Sequence, residues 1–65
     1  MLTNEQIDKL ASRKGVKRIA VENFLGTLGG MSRMEAGMNL SQDAACYKWN
    51  AATVKAIRDG INAAL

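Results

Sequence analysis

Five of the nine basic residues, Lys9, Arg13, Lys14, Lys17 and Arg18, fall between positions 9 and 18, and no acid lies among them. Ammonium and guanidinium groups at that density suit phosphate oxygens, because each phosphate they neutralise releases condensed counterions. Little else in the chain offers chemistry. There is no histidine to exchange protons near neutral pH, and Cys46 is the single thiol. No set of imidazoles and thiolates can therefore close around zinc, and no internal disulfide can form. Between Ala45 and Tyr47, in a helical-looking stretch, Cys46 reads as a small, partly buried thiol.

Size points away from catalysis. A chain of 65 residues buries only about 60% of the surface its unfolded form exposes. That leaves little free energy for the shaped, water-excluding site an enzyme needs. The expectation is a non-catalytic binding protein with no metal and no cofactor. Its net charge of +3 favours an anionic partner. No apolar run approaches the roughly 20 residues that span a bilayer. The opening Met1-Leu2-Thr3-Asn4-Glu5 lacks the basic and apolar regions of a signal peptide. The expected compartment is the cytoplasm, with no membrane partner.

The elements that must position these residues read as helices throughout. Proline is absent, alanine, leucine and methionine are frequent, and no alternating strand pattern appears. The fold class is all-α: one small domain over residues 1–65, built as a bundle of four short helices, or five if the third divides. Thr3-Asn4-Glu5-Gln6 is a capping box that opens the first helix. Glu5 and Asp8 lie near its start, Arg13 and Lys14 close it, and Gly15 ends it by taking a left-handed conformation.

The second helix runs from Val16 or Lys17 to Leu28, and Ala20, Val21, Phe24 and Leu25 make it the heart of the core. Gly29-Gly30 stops it. Ser32-Arg33-Met34-Glu35 is another capping box. Gly37 and Asn39-Leu40-Ser41 interrupt the pattern that follows, which favours a short helix and a fresh one from Ser41 over one kinked helix from Ser32 to Lys48. Asn50 caps a last helix from Ala51 to about Ala64. Val54, Ile57, Ile61 and Leu65 mark its inner face.

Ala11, Gly15, Val16, Val21 and Phe24 have the spacing A-x3-G-V-x4-V-x2-F. Over residues 6–27 this resembles the helix-turn-helix motif of prokaryotic DNA-binding proteins. The resemblance implies a small Ala11 where two helices cross and a sharp turn at Gly15. It also implies that the second helix enters the major groove. Lys17, Arg18, Glu22 and Asn23 would then face the groove, with Arg13 and Lys14 beside phosphates. Arg18 would read a guanine and Asn23 an adenine. Pairing of two copies on two half-sites accompanies such motifs, so a homodimer is compatible with this reading. Three departures stand against it. Lys17 occupies a place where a small hydroxyl is common, Ile19 falls where a polar side chain is usual, and Glu22 would repel phosphate.

Two other accounts compete. In the first, the basic cluster is a solvated surface that completes helix ends. In the second, the domain docks on a protein partner through Met31, Met34, Met38, Leu40, Tyr47 and Trp49, since methionine adapts to irregular surfaces and aromatic residues anchor interfaces. The sequence favours these residues filling the core. If exposed together, they would form a docking surface.

Overall fold

Among the described residues, three of the four helices begin at a side chain that satisfies an otherwise orphaned amide. In the computed structural model, which describes residues 2–65, Thr3 Oγ1 accepts from the Gln6 amide at 3.1 Å while Gln6 Oε1 accepts from the Thr3 amide at 2.8 Å. This completes the capping box of α1 (Asn4–Ala11). Ser32 Oγ accepts from the Glu35 amide to open α3 (Arg33–Tyr47). Asn50 Oδ1 accepts from the Thr53 amide to open α4 (Ala51–Ala64). The exception is α2 (Arg18–Gly26), whose N-cap Lys17 makes no side-chain cap. Its own backbone N–H instead donates to Thr53 Oγ1 at 2.8 Å, tying the start of α2 to the first turn of α4.

The architecture is the expected all-α bundle, but several boundaries differ. α1 ends at Ala11, with Ser12 as its C-cap. Arg13, Lys14 and Gly15 therefore belong to a turn rather than closing the helix, and Gly15 takes φ +79° within that turn. α2 stops at Gly26, two residues before the buried Leu28. The expected division of the third helix does not occur, since α3 runs unbroken through Gly37 and Asn39-Leu40-Ser41. Ala36 and Leu40, one turn apart, are both fully buried. Burying one leucine contributes about 1.5–3 kcal/mol, which outweighs the roughly 1 kcal/mol that an interior glycine costs.

The packing centre also shifts. α2 supplies Val21, Phe24 and Leu25 to the core, yet α4 is the helix that meets α1, α2 and α3. α3 approaches α4 alone, with its backbone close to neither α1 nor α2. The buried face of α4 is Thr53, Ala56, Ile57, Gly60 and Ile61. This face is rotated from the expected one, leaving Val54 half-buried and Leu65 exposed. Small residues on that face let neighbours come close. A Cβ at Gly60 would stand 2.6 and 2.7 Å from the two Leu25 methyls and 3.2 Å from a Leu10 methyl. The result is a slab of about 28 × 27 × 15 Å. Among the described residues, no helix is long and apolar enough to cross a membrane.

Candidate functional site

The five expected nucleic-acid contacts do not converge on one face. Arg13 Nη1 donates to Asp59 Oδ2 at 2.6 Å, joining the turn after α1 to the last half of α4. Arg18 points the other way. Its Nη1 donates to Asp8 Oδ1 at 2.8 Å and to Glu22 Oε2 at 3.1 Å, and its Nη2 donates to Ser12 Oγ at 2.7 Å, clamping α2 to α1. Lys14 is exposed in the turn. Lys17 and Asn23 lie on a third side, where they line a cleft between α2 and α3.

Charge follows this geometry. The hydrogen bond from Arg13 holds the Asp59 carboxyl below its ordinary value, with Lys55 adding to the effect. The hydrogen bonds to Asp8 and then Glu22 raise the Arg18 guanidinium above its own. Both arginine sites are open to water, where such pairs are individually weak. Even so, Arg18, expected to read a guanine, and Arg13, expected beside a phosphate, are both engaged with carboxylates of this chain. Lys9, Lys14, Lys17 and Lys48 form no ion pair among the described residues.

The cleft itself was not visible in the sequence. Its volume is about 420 Å³, inside the range of about 300–1,000 Å³ typical of specific pockets. One wall is Ile19 and Asn23 of α2 with its C-cap Thr27, and the other is Asn39, Asp43 and Tyr47 of α3. Each set is spaced by four residues, as side chains on one helical face must be. Phe24, Met31 and Trp49 supply apolar surface between them. Trp49 meets Phe24 edge-on, with ring centroids 6.2 Å apart, and stacks on Tyr47 at 5.7 Å. At the opposite end, Asn39 Nδ2 lies 3.5 Å from Met31 Sδ. The cleft therefore has an aromatic end and an amide end.

The aromatic end is also the basic one. Asn50 Nδ2 donates to the Gly15 carbonyl at 2.7 Å, so the start of α4 lies against the turn that carries Lys14, just before the α2 N-cap Lys17. Lys48, two residues before Asn50, is exposed and takes φ +56° at the C-cap of α3. Lys17 lines this end of the cleft, and Lys48 lies in the chain between Tyr47 and Trp49, which line it too.

The apolar residues of the middle segment divide. Leu40 is buried, and Met31 and Trp49 are half-buried against the core. Met34, Met38 and Tyr47 are 77%, 67% and 62% exposed, contrary to the expectation that they fill the core. Ile19, on the outward side of α2, is 57% exposed. Cys46 is exposed rather than partly buried. Among the described residues, no group of three metal-binding side chains gathers. Comparison with protein-family models, curated proteins and solved structures finds no match.

Proposed function

We propose that this chain is a non-catalytic protein-docking module whose binding site is the cleft between α2 and α3. The observation that carries this reading is the exposure of Ile19 and Tyr47 on facing helices, above apolar surface from Phe24, Met31 and Trp49. Water-exposed aliphatic and aromatic side chains around a concave floor are the usual anchors of a protein interface. A 65-residue chain gains nothing in its own stability from leaving them uncovered.

Nucleic-acid binding through Arg13, Lys14, Lys17, Arg18 and Asn23 is the second reading. It is favoured by Lys9, Lys14 and Lys17, which have no acidic partner among the described residues. It is weakened by the engagement of both arginines with acids and by the apolar surroundings of Asn23.

One experiment separates them. A library of random peptides, each about a dozen residues long so as to exceed two helical turns, is displayed and selected on the wild-type chain and, in parallel, on Ile19→Ser/Tyr47→Ser. Both replaced residues are exposed, so the fold is retained. Docking predicts enrichment on the wild type that is lost on the variant. Alongside the selection, duplex and single-stranded oligonucleotides are titrated at low salt while amide chemical shifts are followed. Responses confined to residues 13–23, with no peptide enrichment, would replace the docking reading with the nucleic-acid one.

A further inference from the structure

The charges around the cleft are as informative as its apolar floor. Lys17 lines its aromatic end, and Lys48 stands in the chain between Tyr47 and Trp49, which line the same end. The bond between Asn50 and the Gly15 carbonyl brings the turn that carries Lys14 against the start of α4. None of the three pairs with an acid among the described residues. The single carboxylate in the cleft, Asp43, sits halfway along the α3 wall. At the far end are the uncharged Thr27, Met31 and Asn39. The site is therefore polar along its length: cationic at one end, apolar in the middle beside one anion, neutral at the other end.

Resting on the docking reading, we infer that the occupant is a short amphipathic helix of a partner protein, with acidic residues at one end only. Each wall spans nine residues, Ile19 to Thr27 and Asn39 to Tyr47, whose eight steps come to about 12 Å at 1.5 Å each. That length matches about two turns of a helix. Two aliphatic or aromatic side chains of the occupant, three or four residues apart, fill the space over Phe24 and Met31, as in other helix-in-groove complexes. Carboxylates one turn beyond them meet Lys17 and Lys48. Acid at the centre of the occupant would face Asp43 and is disfavoured, because like charges brought together at an interface are repelled. Charge complementarity of this kind selects both the partner and its direction in the groove.

The displayed-peptide selection tests this directly through the composition of its winners. The expected result is a pair of apolar positions three or four apart, with aspartate or glutamate concentrated to one side of them. A synthetic copy of the strongest peptide is then titrated into the wild type, Lys17→Glu and Lys48→Gly, and its acids are replaced by lysine. Lys48→Gly removes one charge and suits a backbone already in the left-handed region, so lost affinity there cannot be ascribed to unfolding. At low salt each variant should bind about three- to tenfold more weakly, and the lysine-bearing peptide should recover on Lys17→Glu. In about 0.5 M salt the differences should largely vanish, since exposed pairs are screened.

Enriched peptides without acidic bias, or with affinity indifferent to both variants, would overturn the inference and leave the docking reading standing. No enrichment at all would overturn both. A concentration-dependent dimer in sedimentation that Ile19→Ser/Tyr47→Ser abolishes would assign the cleft to a second copy of this chain. Displacement of the peptide by a single-stranded oligonucleotide whose shifts map to Tyr47 and Trp49 would assign it to nucleic acid. Either result overturns the inference.

Discussion

Two glycines in helices show how much a single hydrogen atom decides. At Gly60 the added methyl of alanine would press on two methyls of Leu25, itself buried. Overpacking of this kind costs about 1–3 kcal/mol, against the roughly 1 kcal/mol that alanine contributes to a helix interior. At Gly37 the same methyl meets nothing within 4 Å. Gly37→Ala should therefore stabilise the chain by about 0.5–1 kcal/mol, and Gly60→Ala should destabilise it by about 1 kcal/mol. Opposite displacements of the urea midpoint, with unchanged slope, would verify this, whereas stabilisation by both would refute the close approach of α2 and α4. A second test at this scale uses acid. Because Arg13 lowers the Asp59 pKa, the pair's stabilisation is fully present above the unfolded aspartate value of about 3.9. It is lost as pH falls through the lower, folded value. Asp59→Asn should thus show a smaller fall in Tm than the wild type between about pH 5 and pH 2.5. Equal falls would mean that the pair contributes nothing in solution.

At the scale of elements, Asn50 has two roles that substitution can separate. Its Oδ1 caps α4 and its Nδ2 holds the Gly15 carbonyl. Asn50→Ala should cost about 1–2 kcal/mol for the cap and the tether together. Asn50→Asp keeps the acceptor and should lose only the tether, about 0.5–1.5 kcal/mol. Thermal unfolding of both variants checks the order: equal losses would show that the cap carries nothing, and an unchanged Asn50→Asp would show that the tether carries nothing. The three capped starts at Thr3, Ser32 and Asn50 were legible in the sequence because a cap and its amide lie within three residues of each other. The continuity of α3 was not, because Leu40 is held by burial against a distant helix while Gly37 and Asn39 locally suggest a break. The same limit applies to the candidate site. Arg13 and Asp59 are 46 positions apart, so nothing near Arg13 could reveal that its charge is already engaged. The cleft left a faint trace in the four-residue spacing of Asn39, Asp43 and Tyr47. That spacing gains meaning only once α3 is known to be a single helix standing across from α2.

For the whole molecule, the decisive fact is that α3 has one helical neighbour while α4 has three. Local opening follows contact, so the central α3 amides should exchange with solvent faster than those of α2 and of the middle of α4. Leu40→Ala truncates the largest fully buried side chain of α3 and should cost about 2–5 kcal/mol. Hydrogen exchange would report the loss first in α3, and uniform protection across the four helices would contradict it. The single tether also makes α3 a built-in gauge of occupancy. An occupant that touches both walls gives α3 a second attachment, and its binding free energy is added to the cost of opening that helix. Once the ligand is well above its Kd, each tenfold increase in concentration should slow α3 exchange by about tenfold. The far side of α1, already held by α2 and α4, should be nearly indifferent. A true partner would then announce itself in the relative exchange of two helices, with no label on either molecule and whatever the partner's sequence.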